Sequence, residues 1–286
     1  MAPRLSEAFS GFSEEDEAMV RKLVDLDRNH SFHIGESLCD ASLTAIRAYI
    51  DSAYSQTPLD FTAICWAYTK SIRKLTRFAQ NIDDFNTLDV NDRKTLLLEN
   101  LDPMFNIRVG HFFSCDATTL LDQLECLAVF DVSNLQSYIG GWIPQVKPLV
   151  WNQFFVTPWA NSVQHERKFE GLMSDIKSLS LDKPTATILT VVSLLDTDGT
   201  TLKFPFQVTD IQKKYIGLLY RYLCHTRNRI WTEEKFPDFL NMLSNLKEMS
   251  DIMKNKTIKW SMAWPQIQNF IDLNEEEIDK NFFDPH

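Results

Sequence analysis

The sequence predicts an all-α domain of stacked helical layers, and three observations predict it. Residues 75–113 read as a helix, a short sharp connection and a second helix that is apolar on most faces. A helix without a polar face can only be buried, so others must wrap it and it belongs to an inner layer. Only 8 Gly in 286 residues argue against a loop-rich or all-β architecture, while 44% hydrophobic residues and 20 Phe can supply a large core. No Gly/Ser/Pro-rich linker divides the chain, so residues 1–286 are read as one domain.

In chain order, residues 1–12 are read as a flexible lead-in. Ser13 with Asp16 three residues on has the form of a capping box, and Met19, Val20, Leu23, Val24 and Leu26 give the helix behind it one apolar face. His30 to Glu36 is a break, and Leu38 to Tyr54 is a second helical stretch. Thr57-Pro58 opens the next element, where proline is tolerated in a first turn, and a long helix from Asp60 to Ile82 comes after it. Asp83-Asp84 and Asn91-Asp92 are turn and cap material that place helix starts just after them. Pro103 should bend or restart the apolar helix, because it removes a backbone donor and clashes with the preceding turn.

Asp116 to Phe130 reads as helical, and Gly140-Gly141 with Pro144, Pro148 and Pro158 punctuates the stretch up to Gln164. Asp196-Thr197-Asp198-Gly199 is a turn between two helices. Phe236, Phe239, Leu240, Leu243, Leu246 and Met249 recur at helical spacing. From Lys254 the pattern becomes irregular, then acidic at Glu275-Glu276-Glu277.

Composition narrows the function. A net charge of -10 disfavours a phosphate backbone as a direct partner, which would need clustered Lys and Arg. Cys39, Cys65, Cys115, Cys126 and Cys224 contain no C-x-x-C pair and no zinc-ligand spacing, so neither a metal site nor a zinc DNA-binding module is expected in this chain. An odd number of cysteines scattered through apolar segments fits buried thiols in a reducing compartment. No apolar run approaches the roughly 20 residues of a membrane span, and the first twelve residues lack a signal-peptide core, so a soluble intracellular protein is expected. The six histidines fall in no nucleophile, metal or phosphate-binding pattern, and neither enzymatic activity nor a cofactor is expected.

Phe78-Ala79-Gln80, Phe85, Leu88, Asp92 and Leu96-Leu97-Leu98 resemble, without a gap, the signature of nuclear receptor ligand-binding domains. Ser13 to Val24 is similar to that family's first helix and leans toward the vitamin D and liver X receptor group. Phe169 to Leu195, with its Leu181-Asp182 pair, resembles helix 8, and Gln212 to Tyr222 resembles helix 9. Phe236 to Met249 resembles the long helix 10/11 of the dimer face, represented here by Phe236, Phe239, Leu243 and Leu246. The resemblance implies a three-layer antiparallel helical sandwich with at most a small β-turn. It also implies a nuclear transcription regulator that works as a homodimer or with a retinoid X receptor-like partner.

The resemblance further implies a pocket for a small lipophilic ligand of the sterol or fatty class. Its lining would be Ile64, Ala67, Tyr68, Ser71 and Leu75 from one helix, and Leu101, Phe105, Val109 and Phe112 from another, with Tyr68 and Ser71 orienting the ligand. Phe112 stands where many members carry a carboxylate-binding Arg, which disfavours an acid held in that manner.

Coactivator or corepressor helices are held in this family by a Lys and a Glu that cap the two ends of the partner helix. Here Gln80 takes the Lys position, Leu98 a secondary basic position, and Arg77 is a displaced cation. Residues 254–286 form the expected switch region. Its activation helix would run from Pro265, with Ile267, Phe270 and Ile271 in register and Asn269 in place of the Glu. The clamp is therefore weakened, since neutral caps hold helix ends less strongly than charged ones. Large aromatic side chains can fill a cavity as well as line it, so a ligand-independent dimerisation or corepressor module is the second reading.

Overall fold

The computed structural model describes residues 11–30, 75–114 and 163–257. Among these residues the chain is all-α, with eight helical segments and no strand. They are α1 (Glu14–His30), α2 (75–80), α3 (Asp83–Asn86), α4 (Val90–Ser114), α5 (Val163–Ser178), α6 (Lys183–Leu194), α7 (Pro205–Thr226) and α8 (Arg229–Thr257). Helices expected at Leu38 to Tyr54, over most of Asp60 to Ile82 and at Asp116 to Phe130 lie outside the described residues. So do residues 1–10 and 258–286.

The helix with no solvent face is α6 rather than α4. Every residue from Thr185 to Leu195 is at most 5% exposed. It packs against α1, α4 and α7, while α4 packs on its other sides against α5 and α8. Buried helix ends need partners for the backbone groups that the helix cannot satisfy itself, and α6 has them at both ends. Asp182 accepts from Thr185 N at 2.8 Å, and the Asp182 carbonyl accepts from Ala186 N at 2.9 Å. Pro184, in the first turn, has no N–H to satisfy.

At the other end, Val191 O accepts from Leu195 N and Ser193 O from Asp196 N, each at 3.2 Å. Val192 O accepts from Gln212 Nε2 of α7, and Leu194 O from Asn100 Nδ2 of α4, each at 3.1 Å. Within the helix, the Thr187 and Thr190 hydroxyls donate to the carbonyls of Lys183 and Ala186. Each of these buried polar groups is paired, which is why a helix of threonines and aliphatics can sit inside the core.

Several sequence expectations meet a different local structure. The stretch Phe169 to Leu195 is two helices: Ser180 adopts a left-handed φ of 48°, and Asp182 with Pro184 starts α6 afresh. α3 begins at Asp83 itself and α4 at Val90, with Asp89 accepting from Asn91 N at 2.9 Å. Asp92 therefore caps another helix: its two oxygens accept from Lys203 N (2.7 Å) and Phe204 N (2.9 Å) at the start of α7. α4 also runs on through Pro103. The missing N–H leaves the Glu99 carbonyl without its usual helical donor. Lys247 Nζ of α8 approaches that carbonyl at 3.5 Å and donates to Asn100 Oδ1 at 2.7 Å. α8 also continues past Lys254 to Thr257.

The first helix is anchored as expected and one step further. Ser13 N donates to Asp16 Oδ2 and Asp16 N to Ser13 Oγ, each at 3.1 Å, which closes the box. Asp16 also accepts both Nε (2.8 Å) and Nη2 (2.7 Å) of Arg221, tying α1 to α7. The Arg221 hydrogen bonds hold the Asp16 carboxyl below its usual range, outweighing its partial burial. A depressed carboxyl stabilises the fold fully above its unfolded value near 3.8 and loses that contribution as pH falls through the folded value. Arg221→Ala should cost about 1 kcal/mol at pH 7. It should also make urea stability fall less steeply below pH 4; an unchanged acid limb would refute the pairing.

Candidate functional site

One buried junction lies where the end of α2 turns through α3 into α4. Phe78, Ala79, Ile82, Phe85, Leu88, Leu96 and Leu97 are all buried there, Phe78 and Phe85 completely, in one continuous core. Asn81 Nδ2 donates to the Arg77 carbonyl (2.7 Å) and Asn86 Nδ2 to the Gln80 carbonyl (2.5 Å). The last turn of α2 is thus capped from within the chain. Asp84 joins the turn to α7, accepting from Lys214 Nζ (2.7 Å) and Tyr215 OH (2.9 Å), and Lys22 of α1 pairs with Asp83. Burial of Asp84 would raise its carboxyl, but bonds from Lys214 and Tyr215 hold it below its usual value. Burial and Asp84 push the Tyr215 hydroxyl well above its ordinary range, so it stays a proton donor.

Of the expected pocket positions, Leu75, Leu101 and Phe105 belong to that core, at 1%, 7% and 6% exposure. Val109 and Phe112 are helical residues of α4. Ile64, Ala67, Tyr68 and Ser71 lie outside the described residues. Of the expected coregulator positions, Arg77 is exposed, Gln80 and Leu98 are half-buried, and Ile267, Asn269, Phe270 and Ile271 lie outside the described residues. The expected dimer stripe turns inward instead. Phe236, Phe239 and Leu246 are at most 3% exposed, and half-buried Leu243 packs against the same core. Tyr220 meets Phe236 edge-on with ring centroids 5.2 Å apart, so this apolar stripe seats α8 on α7. Among the residues of α8 whose side chains are described, the large apolar ones that it exposes are Ile230 and Leu240.

Beside the pocket positions lies a buried ionic cluster. Asp27 of α1, 1% exposed, pairs with Arg108 of α4 and Lys183 of α6. Burial raises the Asp27 carboxyl, but the opposing charges of Arg108 and Lys183 prevail and keep it ionised. The Arg108 guanidinium lies over the Phe78 ring, 4.8 Å from its centroid. One turn further on, burial and then Lys183 lower the His111 pKa, so its ring is neutral at pH 7. A carbonyl only accepts, so Nδ1 carries the proton that His111 gives to Leu181 O at 3.1 Å. Tyr222 OH donates to Asp182 at 3.0 Å and fixes the start of α6 from α7.

Asp27, Arg108 and Lys183 are missing from the sequence expectations, yet the sequence holds a signal for the first two. Asp27 falls four residues after Leu23 and seven after Val20 on the apolar face of α1, and Arg108 three after Phe105 on α4. A charge within a buried stripe demands a partner. Among the described residues, no group of three His, Cys, Asp or Glu could hold a metal ion, and no helix is long and apolar enough to cross a membrane. No family model matches the chain, and no curated protein matches it.

Removing one member of a buried ion pair strands the other. Asp27→Ala should therefore destabilise the protein by about 3–5 kcal/mol, whereas the apolar double variant Asp27→Leu/Arg108→Met should recover most of that loss. Chemical denaturation of the two variants reads the difference. Additive losses in the double variant would refute the pairing.

Proposed function

We propose that this chain is a ligand-binding domain of the nuclear receptor type. It would take a small lipophilic molecule of the sterol or fatty class into a helical pocket and adjust the recruitment of coregulator helices in the nucleus. One observation carries the reading. Phe78, Ala79, Phe85, Leu88, Asp92, Leu96 and Leu97, which bear the resemblance, are all buried, and Asp92 clamps the start of α7 more than a hundred residues away. Residues in those roles organise a fold, so their succession follows from an architecture rather than from a chance apolar helix. The three-layer sandwich is the arrangement we assign to it, with α4 and α6 inside. A homodimer, or a heterodimer with a retinoid X receptor-like partner, would use the outer face of α8, where Ile230 and Leu240 are exposed.

The second reading is a ligand-independent interaction module. Its support is that Leu101 and Phe105 pack into the continuous core, where large side chains can take up the space of a guest. Thermal unfolding with a panel of sterols and fatty lipids separates the two readings. A ligand at a hundredfold excess over its Kd adds about 2.7 kcal/mol to stability, which raises Tm by roughly 5 °C in a chain of this size. A flat response to the whole panel favours the module.

Gln80 offers a neutral side-chain amide as a cap, and Arg77, three residues before it, is an exposed cation. A Leu-x-x-Leu-Leu peptide should therefore bind weakly. Fluorescence anisotropy showing tight, ligand-dependent binding would overturn the weakened clamp.

A further inference from the structure

At the end of α4 a pair of cations meets a group that can itself gain charge. Arg108 and Lys183 share the carboxylate of Asp27, which is 1% exposed. His111 comes three residues after Arg108, on the same face of α4. Its Nδ1–H donates to Leu181 O at 3.1 Å, two residues before Lys183. This bond ties the last turn of α4 to the connection between α5, which ends at Ser178, and α6, which starts at Lys183. Ser180, within that connection, holds a left-handed φ of 48°, a conformation that costs a residue with a Cβ. Beside it the helices leave no slack, since a Cβ added at Gly110 would come within 2.7 Å of the Ile176 side chain of α5.

Among the described residues, the charges that face this ring are unequal. α4 brings Arg108 and α6 brings Lys183, while α1 brings Asp27, which both cations already share. Asp182, at the start of α6, gives its oxygens to Thr185 N and to Tyr222 OH of α7. Asp175 and Lys177 of α5 are exposed. A proton on Nε2 would therefore add a third cation to a pair that one buried carboxylate balances. Burial and Lys183 oppose that proton more than the Leu181 carbonyl, Asp27 and Asp182 favour it.

We propose that His111 is an acid-released latch: while neutral it holds α4 to the strained connection between α5 and α6, and on taking up a proton it loosens that corner. The device goes beyond ligand binding and does not depend on what the domain binds. A base that the closed corner keeps neutral makes stability fall as pH drops below its ordinary value of 6.5, because the opened corner accepts the proton that the closed one refuses. The loss levels off once the ring is protonated in the closed state too.

NMR of the full chain tests this, with ring and amide signals followed together from about pH 7.5 to about pH 5, where histidine charge changes. The His111 ring should stay neutral to a lower pH than histidine in a short peptide. As it protonates, amide exchange at Leu179, Ser180, Thr185 and Ala186, corrected for its intrinsic pH dependence, should rise several-fold. Buried Leu218 and Leu219 of α7 should hold their protection. His111→Asn sets an amide nitrogen where Nδ1 stands and takes up no proton, so its corner should exchange equally across the range. Should this variant fail to fold, the native chain still decides, because ring and corner must change at one pH. A ring that titrates as in a peptide, a corner that ignores the ring's titration, or a folded His111→Asn protein that loosens with acid as the native chain does overturns the latch.

Discussion

A helix buried on every side can exist only if its own ends are satisfied, and α6 sets this condition for the helices around it. The neighbours that cover it also supply its caps. Asn100 of α4 and Gln212 of α7 reach carbonyls of its last turn, and Tyr222 of α7 fixes the Asp182 carboxylate at its start. Side-chain hydrogen bonds of this kind have narrow geometry, so they set how α4 and α7 approach α6 as well as how closely. Apolar contact alone would leave more freedom, because burial is non-directional.

The same condition explains the buried charges. Asn100 gives its amide to the end of α6 and takes a hydrogen bond from Lys247, which also approaches the carbonyl that Pro103 leaves open. One cation thus supports a proline within α4 and the residue that caps α6. At the opposite end, Asp27 ties α1 to Arg108 of α4 and Lys183 in the first turn of α6. Such groups are costly singly and stabilising together, so they favour one arrangement of helices over other compact packings.

The features legible in the sequence were mostly local. The capping box at Ser13, the turn ending in Gly199 with its left-handed φ of 72°, and the apolar face of α1 follow from residues a few positions apart. The partners of Asp92 and Asn100 were not legible, since each lies more than ninety residues away. The break at Ser180 was hidden because Leu179, Leu181 and the aliphatics beyond keep the stretch apolar, while the signals that divide it are a single Asp and a Pro. Apolar residues at helical spacing, such as the stripe on α8, serve a core or an interface equally well, and the burial of Phe236, Phe239 and Leu246 appears only once the neighbouring helices are in place. Of the candidate site, Leu75, Leu101 and Phe105 fall in the buried core; the charges of Asp27 and Arg108 within apolar stripes are legible, but their pairing with each other and with Lys183 needs three helices brought together.

A ligand-binding role requires room for a guest in the interior at Leu75, Leu101 and Phe105. Crystals of the delipidated full chain under xenon pressure measure this most directly, because dry apolar cavities take up that gas. A ligand-binding interior should take up xenon in a cavity bordered by these three side chains. An interior that takes up none, with the three packed directly on one another, would contradict it.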